Sequence, residues 1–171
     1  MNTDKTTLLR ELQKENPWWS SKMVPEALAR EFKRSDYFAY KKDLNSDYIN
    51  VLVGPRRVGK TTVLYQLIQH LIREKQVDPK HVLFLSLDRP YYDVVEDPIL
   101  DSLSVFQENI LQKSIERLEQ PAYIFLDEVQ AHSDWAKKLK MFFDRKSNLK
   151  FYVSGSSSPA LAEKNTESLV G

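Results

Sequence analysis

The chain has 171 residues, 42% hydrophobic and 29% charged, with a formal net charge of +1. That composition suits one soluble domain with a sizeable core and gives no electrostatic case for nucleic acid or an anionic surface. It contains no cysteine, which excludes disulfides and thiolate metal sites. No apolar run nears membrane-spanning length or forms a signal-peptide core, so a cytoplasmic location is the default expectation.

Residues 3–15 read as a helix with Leu8, Leu9 and Leu12 on one side, ended by Asn16-Pro17. The Trp18-Trp19 pair that follows is read as pinning an N-terminal arm to the domain. Residues 25–40 read as a second helix carrying Leu28, Phe32 and Phe38 inward. Its basic residues (Arg30, Lys33, Arg34, then Lys41 and Lys42) are interleaved with Glu26, Glu31, Asp36 and Asp43. That mixture describes a solvated face rather than a nucleic-acid patch. Residues 1–45 are therefore expected to form a helical arm packed on a core spanning 46–171.

An apolar run (Tyr48, Ile49, Val51, Leu52, Val53) leads into Gly54-Pro55-Arg56-Arg57-Val58-Gly59-Lys60-Thr61-Thr62. Beyond Lys60, the apolar residues Val63, Leu64, Leu67, Ile68, Leu71 and Ile72 form a helical stripe. Strand, G-x-x-x-x-G-K-T and helix in that order are what a phosphate-binding loop requires. Gly54 and Gly59 allow a tight turn whose N–H groups surround phosphate oxygens, helped by the positive end of the helix. Lys60 is expected to reach the β- and γ-phosphates, and Thr61 to ligate Mg2+. Arg56 and Arg57 have two readings, phosphate contact or solvent. No N-K-x-D guanine motif occurs, so ATP is the default nucleotide; the alternative reading of the tryptophan pair is an indole packed on its adenine.

Residues 82–87 read as a second, doubly buried strand ending at Asp88, a turn residue or a member of the metal's water shell. Asp97 should cap a helix with Pro98 in its first position and an inward stripe of Ile99, Leu103, Phe106, Ile110, Ser114 and Leu118. Ala122 to Leu126 is a third strand, Asp134 caps a helix facing Trp135, Leu139, Phe142 and Phe143 inward, and Phe151 to Val153 is a fourth strand. Alternating strands and helices indicate an α/β fold with a mostly parallel sheet covered on both faces, a three-layer P-loop NTPase architecture. His70 lies on the polar side of its helix, and neither it, His81 nor His132 has ligand spacing.

The third strand runs into Asp127-Glu128. An acid at that strand's carboxyl edge is placed to hold Mg2+ beside Thr61, the role assigned to Asp127. Glu128 is the candidate for polarising the attacking water. The fourth strand's end should lie beside the loop strand, making Ser154 and Ser156 candidates for orienting the water or sensing the γ-phosphate, with Ser154 preferred. No arginine finger is evident, so it is expected from another subunit of a homo-oligomer or from beyond Gly171.

Taken with Phe125-Leu126-Asp127-Glu128-Val129-Gln130, Asp134-Trp135 and Val153-Ser154-Gly155-Ser156-Ser157, the phosphate loop resembles that of the prokaryotic AAA-like ATPases, which join this domain to a C-terminal domain of nuclease-like or winged-helix character. The resemblance covers about residues 25–171. It implies ATP and Mg2+ binding, a cytoplasmic location, and the five-stranded sheet of the additional-strand, catalytic-glutamate division. In that family a Gly-Arg pair follows the serine segment; the sequence stops at Gly171, so a core truncated at its C-terminus is expected. The resulting expectation is a Mg2+-dependent ATPase domain that drives a C-terminal domain or partner protein by conformational change, with no membrane and no nucleic-acid role supported by charge. The alternatives are a nucleotide-gated interaction module with negligible turnover and a small-molecule kinase.

Overall fold

The structure is a computed structural model and describes residues 4–156. In chain order its elements are α1 (Lys5–Glu15), α2 (Trp18–Ser21), α3 (Ser35–Lys42), β1 (Asn50–Val53), α4 (Lys60–Arg73), β2 (Val82–Ser86), α5 (Pro98–Phe106), β3 (Ala122–Asp127), α6 (Trp135–Asp144) and β4 (Leu149–Gly155). The strands form a fully parallel sheet in the order β1-β4-β3-β2. β4 is thus inserted between the strand that feeds the phosphate loop and the strand that ends in the acid pair.

Alternation along each strand divides the core into two layers. Leu83, Leu85, Ile124, Leu126, Phe151 and Val153 face α1, α5 and α6. Val82, Phe84, Tyr123, Phe125 and Tyr152 face the opposite way, onto α2, α3 and α4. β3 is buried along its whole length, as expected for a strand with neighbours on both edges and helices on both faces.

Capping fixes two helix starts. Asp4 accepts from Thr6 N–H at α1, and Asp97 accepts from Leu100 N–H at α5, with Pro98 at the first position. α1 places Leu8 and Leu12 in the first layer. The indole N–H groups of Trp18 and Trp19 both donate to Val82 O, at 3.1 and 2.7 Å. Trp18 is wholly buried and the Trp19 ring is stacked on Phe106 at 5.8 Å, so both rings are committed to the core.

Four local expectations need correction. The helix over 25–40 is only Ser35–Lys42. The carbonyls of Arg30 and Phe32, which would have accepted helical bonds, instead accept from Gln66 Nε2 at 2.6 and 2.8 Å. In consequence Phe32 and Phe38 are exposed, and Tyr37 fills the core position. The stripe over α5 does not run to Leu118: the helix loosens into a π-turn at Gln107–Leu111 and stops at left-handed Gln112. Asp134 makes no side-chain cap bond at α6, where its carboxylate accepts from Ser133 Oγ, and Phe143 is exposed. His70 is buried, with its ring edge-on to Tyr37 and Nδ1 2.8 Å from Glu74 Oε2.

Candidate functional site

At the carboxyl edge of the sheet, the turn from β1 into α4 holds the loop. Gly59 opens the helix at φ +94°, a left-handed conformation that strains any side chain. Gly54 is not left-handed; a Cβ there would meet Val58 Cγ2 at 3.4 Å, an ordinary contact. Of the two glycines, only Gly59 is therefore required by backbone geometry. Pro55, Arg56 and Arg57 face solvent, with Arg57 at φ 63°, while Val58 is half-buried.

Lys60 points back under this loop. Its ammonium donates to Gly54 O and Pro55 O, each at 3.0 Å, and lies 3.8 Å from Glu128 Oε1. The Lys60 side chain is only 4% exposed. A buried cation satisfied by two neutral carbonyls and one distant carboxylate is a strong attractor for an anion.

Parallel pairing sets the acids. With Leu126 opposite Val153 and Leu52 opposite Ser154, the carboxyl ends of β1, β4 and β3 lie side by side. Asp127 is buried, and each of its oxygens accepts a hydroxyl: Thr61 Oγ1 at 2.6 Å on Oδ2, and Ser154 Oγ on Oδ1. Burial raises the Asp127 carboxyl above its usual range, opposed by the Ser154 and Thr61 bonds, while the like charges of Glu128 and Asp88 add to the rise. Exposed Asp88 itself accepts from Ser86 Oγ at 3.0 Å. Glu128 follows in the left-handed region at φ 55°, ψ 47°, a strained conformation for a residue with a Cβ.

Ser154 and Ser156 differ. Ser154 is wholly buried and committed to Asp127, with its Oγ also 3.5 Å from Glu128 N. Ser156 presents its backbone N–H to Gln130 Oε1 at 3.2 Å. His132 is turned to Leu87 O and His81 to Pro121 O. Ser157 to Gly171 lie outside the described residues, as does any fifth strand they supply.

Arg34 is not part of a purely solvated face: its guanidinium donates to Val58 O on the phosphate loop. With Arg30, Phe32, Arg57, Thr62 and Gln66 it lines a cavity of about 270 Å³ against the start of α4. None of these arginines has a carboxylate partner among the described residues. Neither Arg34 nor Gln66 carries a sequence signal for this placement.

The donor set fits a metal–polyphosphate rather than a bare metal. Among the described residues no group of three His, Cys, Asp or Glu is placed to hold an ion alone. Magnesium is commonly held by one or two carboxylates with phosphate oxygens completing its shell, and Thr61 with Asp127 offers such a half-site beside a buried ammonium.

A parallel sheet with a glycine-lysine loop at its carboxyl edge, an acid on the next strand but one, and a strand inserted between them defines a P-loop nucleotide-binding domain of the ATPase type. A family profile described as an AAA domain matches residues 46–171, and the chain belongs to that family. It is 28% identical over 123 residues to an uncharacterized protein, MJ1544, of Methanocaldococcus jannaschii, covering 72% of this chain and 24% of that protein. An uncharacterized protein of Haemophilus influenzae is 27% identical over 93 residues, 54% of this chain and 22% of the relative. The chain thus spans about a quarter of the length of the curated relatives it matches. Against the structure of C. elegans PCH-2 the TM-score is 0.42 at 19% identity, covering 95% of this chain and 44% of the other. No helix among the described residues is long and apolar enough to cross a membrane.

Proposed function

We propose that this domain binds ATP with Mg2+ and hydrolyses it, moving a partner domain or protein as the nucleotide changes. The observation that supports this best is the buried Lys60 ammonium, held by two loop carbonyls and 3.8 Å from Glu128. Lys60 would exchange those carbonyls for β- and γ-phosphate oxygens. The loop from Gly54 to Thr62 would supply the surrounding N–H groups. Thr61 and Asp127 would hold the metal, and Ser154 would hold Asp127 in place. The ion, when bound, supplies positive charge against the phosphate oxygens. Glu128 would accept a proton from the attacking water.

The cavity beside Thr62 suits the rest of the nucleotide. Arg34 and Arg30 would face its anionic side, and exposed Phe32 gives a ring on which adenine can stack. The coupled partner would be a C-terminal domain or another chain, including another copy of this one, and the site of action would be the cytoplasm. Glu128→Gln tests the hydrolytic half: it should keep ATP binding and abolish phosphate release. Parent-like release by that variant would remove Glu128 from the chemistry, and binding without release by the parent chain would make the domain a nucleotide-gated module.

A further inference from the structure

Gln130 stands two residues past Glu128, in the short turn Val129–Ala131 after β3. Its amide is half-buried and bridges two elements. Nε2 donates to Glu128 Oε2, while Oε1 accepts from the Ser156 N–H at 3.2 Å. A backbone N–H can only donate, so Ser156 fixes the amide oxygen toward the end of β4. Nε2 must then face Glu128, which serves as acceptor. The other oxygen of Glu128 faces Lys60 Nζ at 3.8 Å. The carboxylate is thus gripped on one oxygen by the amide and approached on the other by the ammonium.

This grip matters because the Lys60 ammonium, at 3.8 Å, is too far to hydrogen-bond the carboxylate and leaves its aim to the amide. The backbone at Glu128 is left-handed and the side chain is largely buried, 15% exposed. The bridge also reaches beyond Glu128. Ser156 directly follows Gly155, which pairs with Val53 at the start of the phosphate loop. Any shift of that strand end is felt by the amide and passed to the carboxylate.

We infer that Gln130 is a positioning residue for Glu128: it aims the carboxylate and ties that aim to the strand end beside the phosphate loop. The inference rests on the reading of Glu128 as the group that activates water. The test uses the full chain and three variants: Gln130→Met, which keeps shape without hydrogen bonds; Gln130→Glu, which still accepts from Ser156 but cannot donate to Glu128; and Gln130→Met combined with Glu128→Gln. Both single variants should lower kcat roughly tenfold or more, with the KM for ATP within about twofold and the melting temperature unchanged. In the Glu128→Gln background, Gln130→Met should change nothing further. Parent-like kcat in both single variants overturns the inference, as does a loss that appears only with a fall in melting temperature. A second readout needs no turnover: at fixed pH, the Gln130 side-chain amide resonance should move in Glu128→Ala. If the parent releases no phosphate, the hydrolytic reading fails, and that resonance alone decides whether Gln130 holds Glu128; an unmoved resonance overturns the contact.

Discussion

Glu15→Gln isolates a buried acid that ties α1 to the sheet. The Glu15 side chain is 1% exposed, accepts the Ser86 N–H at 3.1 Å, and pairs with Arg89 at 3.1 Å, itself half in solvent. Burial pushes its carboxyl up to about 7, from 4.5, against the opposing pull of Arg89, Ser86 and Tyr92. The folded chain therefore holds the Glu15 proton more tightly than the unfolded chain does. The associated stability is fully present below about pH 4.5 and is lost as pH rises through about 7. At about 1.4 kcal/mol for each unit, the whole loss is about 3.5 kcal/mol, and roughly 2.5 of it falls between pH 5 and 8. Glutamine keeps the acceptor for Ser86 and cannot titrate. Urea unfolding of parent and variant at pH 5 and 8 isolates the difference, because every other group cancels. The variant should gain roughly 2.5 kcal/mol relative to the parent on going from pH 5 to 8. A difference independent of pH would mean that Arg89 keeps Glu15 charged throughout, and would refute the reasoning.

Ser154→Ala removes the hydroxyl from Asp127 Oδ1 and leaves a buried acceptor short of a partner. It should cost about 1.5–3 kcal/mol in stability and raise the Mg2+ concentration needed for ATP binding, both measurable by denaturation and calorimetry. Trp18→Ala opens a cavity where a wholly buried ring packs beside Tyr65, and thermal melting should show a loss of about 3–5 kcal/mol. Trp18→Phe should cost far less, because Trp19 still donates to Val82 O.

The parts legible from sequence are those whose cause is local. The glycine-lysine loop, the apolar run of β3 and the Asp97-Pro98 start carry their structure in adjacent residues. The 25–40 segment does not: Gln66, 34 residues from Phe32 and 36 from Arg30, takes the carbonyls of both in place of the helix that the pattern suggests. Burial of His70 is equally non-local, since Tyr37 from α3 covers it. In the sequence, Ser154 and Ser156 are both candidates in a glycine turn, with only a slight preference for Ser154. Parallel register separates them, placing one hydroxyl on Asp127 and leaving the other residue's N–H to Gln130. Arg34 joins the site only because the arm folds back across Val58.

Everything functional depends on the buried ammonium of Lys60 accepting a polyphosphate in place of Gly54 O and Pro55 O. Calorimetric titration of Mg-ATP into the folded chain, alongside Lys60→Ala, tests that exchange most directly. One saturable site in the parent and no heat of binding in the variant is the predicted result. An unresponsive parent, or a variant that binds as tightly as the parent, would contradict it.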